Sequence, residues 1–200
     1  MSAEHDAWLV DLDGTLYAAR PVKLAMLAEL AVGGWGVLRT LRRFRSEHEH
    51  LRLTQDQPAN PYQLQLERTA AALGLELSEV ELRVHEWMQV RPQKWLRRFR
   101  RTTLLGELAA FARSGGRLAL VSDYPARLKL QALGCLELFD AIVASGEEGG
   151  PRWLKPHPDG YLSAAARLGV APSRCLVLGD RRDADGEAAR RAGMGFRHVS

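Results

Sequence analysis

Cysteine is nearly absent from this 200-residue chain. Cys135 and Cys175 stand alone, without a pairing framework or a short metal-ligand spacing. That excludes a disulfide-stapled scaffold and a thiolate zinc site, and two buried free thiols in a reducing cytoplasm are expected. Long hydrophobic runs are missing too. The most apolar window, Leu24 to Leu38, is interrupted by Glu29, Gly33, Gly34 and Gly36, and it is shorter than the roughly 20 residues a bilayer span requires. The start, Met1 to Asp6, carries Glu4 and Asp6 and lacks the basic flank and apolar stretch of a secretory signal. No membrane association is expected, and the chain has neither an internal repeat nor a low-complexity tract. What is present is ordinary for a globular protein, with 46% hydrophobic and 26% charged residues. The length allows one sizeable core, or a core with a smaller inserted domain.

The net charge of +4 is unevenly spread. Residues 17 to 105 hold 15 arginines and lysines against 9 acidic residues, while the remainder holds 13 against 15. Basicity is therefore a property of one segment.

The same segment differs in its periodicity. Ala7 to Leu12 is a short apolar run ending in acidic residues and glycine, which reads as a buried strand and a turn. From Pro21 to about Arg101 the apolar residues recur at helical spacing: Leu24, Leu27 and Leu30, then Leu38, Leu41 and Phe44, then Leu64, Leu66, Ala70 and Leu73. Breaks at Gly33-Gly34, at Pro58 to Pro61 and at Gly74, with Ser78 as the next cap, divide this block into three to five helices. Beyond Thr103, helices alternate with β-type runs at Arg117 to Val121, Ala141 to Ala144, Cys175 to Leu178 and Phe196 to Val199. That alternation predicts a parallel sheet with right-handed crossovers. The fold class is therefore α/β, a parallel sheet flanked by helices, interrupted after its first strand by a helical insertion. The core is assigned to 1–16 and 106–200 and the insertion to 17–105, with linkers near 16 to 20 and 101 to 105 acting as a hinge.

In an open parallel sheet the working groups gather at the carboxyl ends of the strands. Polar residues stand there in sequence: Asp11-Leu12-Asp13-Gly14-Thr15, Ser122-Asp123, Lys155-Pro156 and Gly179-Asp180. Taken singly, each has an ordinary explanation: Asp13-Gly14 is a common turn pair, Ser122 a possible helix cap, and Asp183 to Glu187 favour a helix start. Taken in order, each at a strand end, they argue for one crevice. Asp11, Asp13, Asp180 and either Asp183 or Asp185 would repel one another unless a cation sat among them, and an all-oxygen set suits Mg²⁺ rather than zinc. Two carboxylates one residue apart can divide the work, one attacking an electrophile and the other exchanging a proton with the leaving group. Lys155 and the Ser122 hydroxyl would then hold the oxygens of a phosphate.

These residues resemble the four signatures of the haloacid dehalogenase-like superfamily: Asp11-Leu-Asp13-Gly14-Thr15-Leu16, Val121-Ser122-Asp123, Lys155-Pro156, and Gly179-Asp180-Arg-Arg-Asp183-Ala-Asp185-Gly186. The resemblance implies a Rossmann-like core with a helical cap that closes over the site and selects the substrate. It also implies that Asp11 attacks phosphorus, and that Asp13 protonates the leaving oxygen and later activates water against the aspartyl-phosphate. Ser122 would bind the phosphoryl group, Lys155 would neutralise charge, and Asp180, with Asp11 and the backbone carbonyl of Asp13, would hold Mg²⁺. Asp185 is favoured over Asp183 as the second acid of the fourth signature. Val121-Ser-Asp-Tyr-Pro125 and Lys155-Pro-His-Pro158 look most like phosphoglycolate phosphatase-like members, so a small phosphorylated metabolite is the expected substrate. A phosphosugar mutase or a non-catalytic phosphate-binding protein would carry the same residues. A haloacid dehalogenase is disfavoured, because in the family that chemistry needs no Mg²⁺ and no acid like Asp13.

Arg91, Lys94, Arg97, Arg98, Arg100 and Arg101, interleaved with Trp95 and Phe99, read as a solvated amphipathic helix, and no nucleic-acid partner is expected. Trp87, Met88 and Trp95 fit either a substrate pocket or a cap core. Arg20 is a candidate substrate-anion contact, His157 a loop-packing residue, and His48 and His50, two apart on a helix, make a poor metal pair.

Overall fold

A computed structural model describes residues 5–54 and 60–200 of the chain. The reading of the first residues as lacking a signal, and the Pro58 side of the break at 58 to 61, lie outside them. Five strands, β1 (Ala7–Val10), β2 (Arg117–Ser122), β3 (Ala141–Ala144), β4 (Cys175–Gly179) and β5 (Gly195–His198), form one parallel sheet in the order β3-β2-β1-β4-β5. β1 is central, with Val10 in register with Leu120 on one side and Leu178 on the other. A strand flanked on both edges and covered on both faces must be apolar throughout. The strand alternation divides the sheet residues between two cores: Val10, Leu118, Leu120 and Leu178 face one, and Leu9, Ala119, Val121 and Val177 the other.

Each core is closed by helices whose apolar residues recur every three or four positions. α6 (Thr102–Arg113) brings Leu104 and Leu108, and α7 (Arg127–Leu133) brings Leu130 and Leu133, to the first. There Trp8 of β1 and Phe111 of α6 also stack, with ring centroids 4.1 Å apart. α8 (Asp159–Leu168) sets Tyr161, Ala164, Ala165 and Leu168 into the second, together with α9 (Glu187–Ala192).

Between β1 and α6 the described residues form five α-helices: α1 (Ala19–Gly33), α2 (Trp35–Leu53), α3 (Pro61–Leu73), α4 (Leu77–His85) and α5 (Gln93–Arg98). A π turn over Glu86–Val90 joins the last two. Leu30, Leu41, Phe44, Leu66, Val80, Val84 and Trp87 make a third, separate core. α3 starts where the Asn60 side chain accepts hydrogen bonds from the Tyr62 and Gln63 amides, and ends at Gly74, whose φ of 63° an L side chain rarely adopts. The expected cap at Ser78 is not one. The extended residue is Glu76, and Ser78 already lies within α4.

The two linkers run antiparallel: Tyr17 pairs with Arg100, Ala18 N–H donates to Phe99 O at 3.0 Å, and Arg101 N–H donates to Leu16 O at 2.9 Å. α5 does not join this third core, since Leu96 packs with Leu130 and Leu133 in the sheet-side cluster. The basic stretch at its end is spent on local ties: Lys94 to Glu29 at 2.9 Å, Arg97 to the Ala132 carbonyl and Arg101 to the Ser200 carbonyl. Among the described residues no helix is long and apolar enough to cross a membrane.

Leu108 is fully buried between α6 and the sheet, so Leu108→Ala removes apolar area and leaves a cavity. Urea denaturation should show a loss of about 3 kcal/mol. The same change at Leu24, 68% exposed, should stay within about 0.5 kcal/mol.

Candidate active site

The crevice lies at the carboxyl ends of β1, β2 and β4, where the sheet delivers its loops side by side. β1 hands over directly to Asp11, whose amide still donates to Leu178 O at 2.9 Å. The Asp11 side chain is 11% exposed. Its Oδ1 accepts from Lys155 Nζ at 2.5 Å and its Oδ2 from Thr15 Oγ1 at 2.8 Å. Lys155, from the loop preceding α8, also donates to the Val121 carbonyl at 3.1 Å and stands 2.8 Å from Asp185 Oδ1. Asp185 is buried as well, accepting from the Tyr161 hydroxyl at 2.8 Å and from the Arg181 amide at 3.2 Å.

Asp11, Asp180 and Asp185 are the one group of three or more potential metal ligands among the described residues, with their oxygens all within 4.8 Å of one another. Asp183 is not part of it: its exposed carboxylate pairs with Arg181 at 2.7 Å and faces Arg52 at 3.9 Å. Glycine keeps the cluster tight. A Cβ at Gly14, where φ is 102°, would lie 2.0 Å from Asp180 Oδ2, so no other residue fits that turn beside the carboxylate.

The electrostatics call for added positive charge. Burial, reinforced by the charge of Asp185 and opposed by Lys155, pushes the Asp11 carboxyl up to about 8. Burial and Asp185 also raise Asp180, whose Oδ1 is buried with no hydrogen-bond partner. Burial alone would lower the Lys155 ammonium, but Asp11 and Asp185 outweigh it and hold it well above its ordinary value. Carboxylates this close repel by at least about 3 kcal/mol per pair at an effective dielectric of 20. With Asp11 ionised, as it would be beside a bound cation, Asp11, Asp13, Asp180 and Asp185 outnumber Lys155 and Lys129 by two charges. An orphaned oxygen, a hard all-oxygen donor set and a two-charge imbalance together fit a single Mg²⁺.

Asp13 is held apart from this cluster. Its oxygens accept from Lys129 Nζ at 2.7 and 2.8 Å, and Oδ1 also accepts from the Tyr17 hydroxyl. Burial raises this carboxyl, yet the charge and hydrogen bond of Lys129 and the bond from Tyr17 prevail and lower it. Ser122, buried at the end of β2, accepts from the Tyr124 amide at 3.2 Å. Its hydroxyl proton is thereby left to donate elsewhere.

Two α2 residues reach this end of the sheet. The His48 ring stacks on Tyr124 with centroids 4.6 Å apart, and its Nε2 is 3.8 Å from Asp123 Oδ2. Arg52 Nε donates to the Lys155 carbonyl at 2.7 Å. Neither was legible as a site residue, nor were Lys129, Tyr17 or Tyr161. The available signals were faint: a lysine among Leu128, Leu130 and Leu133, and a tyrosine on the apolar stripe of α8. The other candidates lie elsewhere. Trp87 is in the cap core beneath Arg91, Met88 packs beside it, Trp95 donates to Glu29, His157 stacks on Trp153 and Arg20 is exposed. An open cleft of about 640 Å³ between α2 and α3, lined by Arg43, Glu47 and Arg68 among others, contains none of the carboxylates described above.

Comparison with known proteins gives the same frame. Over 66 residues the chain is 44% identical to the glyceraldehyde 3-phosphate phosphatase of Methanopyrus kandleri, a stretch covering 33% of this chain and 27% of that protein. Over 88 residues it is 35% identical to the phosphoglycolate phosphatase of Escherichia coli K12, covering 43% and 34%. The chain thus spans about a quarter to a third of the length of these relatives. A HAD phosphatase from Thermococcus onnurineus superposes over 98% of this chain and 86% of its own with a TM-score of 0.59 at 23% identity, a likeness of fold. The haloacid dehalogenase-like hydrolase family model matches residues 5–193, and with the parallel sheet and the acidic crevice in place, the chain belongs to the haloacid dehalogenase-like hydrolases.

Proposed function

We propose that this protein is a Mg²⁺-dependent phosphatase that hydrolyses a small phosphate monoester through a phosphorylated Asp11. The observation that carries the reading is the contact of Asp11 Oδ1 with Lys155 Nζ at 2.5 Å beside the Asp180 and Asp185 carboxylates, with a second acid, Asp13, two residues on. Asp11, Asp180, Asp185 and the Asp13 backbone carbonyl would hold Mg²⁺, which when bound neutralises charge on the carboxylates and on the phosphoryl oxygens.

Phosphoryl transfer is mostly positioning and charge stabilisation, and the chain's own groups divide that work. The Thr15 hydroxyl fixes the Asp11 carboxylate through Oδ2, leaving Oδ1 to form the bond to phosphorus while the ester oxygen departs. Lys155, released from Oδ1 as the bond forms, and the Ser122 hydroxyl donate to the phosphoryl oxygens. Asp13, whose carboxyl Lys129 and Tyr17 lower in the free site, takes up a solvent proton as the phosphate ester enters, gives it to the leaving oxygen, and regains one from the water that attacks the aspartyl-phosphate, freeing Asp11 and releasing inorganic phosphate. Residues 17–105 act as a cap over this chemistry. His48 and Arg52 are the cap residues supported as substrate-facing, since they meet Asp123 and the Lys155 carbonyl. The phosphatases named among the relatives favour a small phosphorylated metabolite as substrate.

The first test is phosphate release from a panel of small phosphate esters with and without Mg²⁺. We expect metal-dependent turnover, lost by at least about 10³-fold in Asp11→Asn, which removes the nucleophile. Metal-independent release, or an Asp11→Asn enzyme of undiminished rate, would sink the reading. Phosphate transferred to a sugar phosphate rather than to water would replace it with mutase chemistry.

A second test concerns the metal-free protein. Because the Asp11 carboxyl in the fold sits near 8, far above an unfolded aspartate, the folded form keeps a proton that the unfolded form has lost at intermediate pH. The corresponding stability is present at low pH and disappears as pH rises through about 8. Thermal unfolding in EDTA should therefore show the wild type losing stability between pH 5.5 and 8.5. Asp11→Asn should lose less, and at pH 8.5 should be the more stable by at least about 1 kcal/mol, or about 3 °C. Parallel curves for the two proteins would contradict the raised Asp11.

A further inference from the structure

The buried lysine of α7 is not among the four motifs, yet it makes the tightest polar arrangement in the crevice after that of Lys155. Lys129 is 4% exposed, and its ammonium bridges both oxygens of Asp13, at 2.7 and 2.8 Å. Burying an ammonium costs several kcal/mol even when it is paired. Its helix neighbours Leu130 and Leu133 are fully apolar and buried, so a leucine or methionine at this position would complete the face of α7 without that cost. The helix does not need the lysine for packing.

What the lysine supplies is orientation. Among the described residues, the Asp13 side chain has two hydrogen-bond partners, Lys129 and the Tyr17 hydroxyl. They arrive from different elements: Asp13 from the loop after β1, Tyr17 from the linker whose backbone pairs with Arg100, and Lys129 from the helix after β2. The two donors are not distributed evenly. Oδ1 accepts from both and Oδ2 from Lys129 alone. A carboxylate oxygen has two lone-pair directions, so the one with room for a further proton is on Oδ2. We propose that Lys129, assisted by Tyr17, is a positioning residue that fixes the Asp13 carboxylate and assigns Oδ2 as the atom exchanging a proton with the leaving group and with water.

This inference rests on the phosphatase reading and is tested by the dependence on leaving group. The p-nitrophenolate of p-nitrophenyl phosphate departs without protonation, whereas the alkoxide of glycerol 3-phosphate needs a proton from Asp13. The full-length protein with Mg²⁺ would be assayed on both esters as wild type, Lys129→Met, Lys129→Arg and Tyr17→Phe. A well-placed general acid contributes about 10²–10⁴-fold, so a misplaced one in Lys129→Met should lower kcat/KM for glycerol 3-phosphate by at least about tenfold. The loss for p-nitrophenyl phosphate should stay under about threefold, since that ester does not draw on the proton. Lys129→Arg should recover part of the selective loss, because a guanidinium can also bridge both oxygens. Tyr17→Phe, which removes a hydroxyl and keeps the buried ring, should show the same selectivity at smaller amplitude and decides the matter if Lys129→Met does not fold. Equal losses on the two esters, no loss, or a shift in favour of glycerol 3-phosphate would overturn the positioning role. A wild type that hydrolyses neither ester would instead fail the phosphatase reading itself.

Discussion

The ammonium of Lys155 is the charge on which the crevice depends. It reaches Asp11, Asp185 and the Val121 carbonyl at once, so three strand ends are tied through one atom. An ion cluster buried to this degree is weak ground for claiming stability, because desolvation cancels most of its Coulomb attraction. Its consequence is geometric. With Lys155 removed, Asp11 and Asp185 would face each other and Asp180 with nothing opposing them. The arrangement of the carboxylates, and hence the fit for a dication, rests on that side chain more than on the loops that carry it.

The strands were legible because a parallel sheet buried on both faces makes its residues apolar without interruption, and β3 was read to the residue. β1 and β5 were read past the ladder, to Leu12 and Val199, where apolar character continues, whereas β2 and β4 each run one residue beyond the apolar stretch, to Ser122 and Gly179. The helical block was legible from spacing and from Gly33-Gly34 and Gly74. What spacing could not reveal was that α5 packs on the sheet side: Leu96 and Phe99 are as apolar as the residues of the third core, and only their partners in α7, distant in sequence, place them against the sheet.

The site was legible where acids stand at strand ends, since a carboxylate following a buried strand has few other reasons to be there. Asp180 could be paired with Asp11 on chemistry alone. Chemistry left Asp183 and Asp185 open, because both lie near the start of α9; Asp185 was favoured through the family resemblance, and the π turn at Arg182–Gly186 turns it inward. Lys129, Tyr17, His48 and Arg52 were hidden for a different reason. Lys129, His48 and Arg52 are polar residues on helices and Tyr17 lies in a linker, where a solvated surface role is the usual expectation, and only the tertiary packing turns them toward the acidic end of the sheet.

Those hidden residues also connect the helical segment to the acidic crevice. Tyr17 binds Asp13 and lies in the linker pair, and Arg101, from the opposite linker, donates to the Gly14 carbonyl at 3.4 Å within the turn that carries Asp11 and Asp13. Arg52 approaches from the cap side through the Lys155 carbonyl. Leu96 of α5 packs with Leu130 and Leu133 of α7, so a movement of α2, α3 and α4 that left α5 in place would bend the chain at the Glu86–Val90 turn between α4 and α5 and not at Arg101.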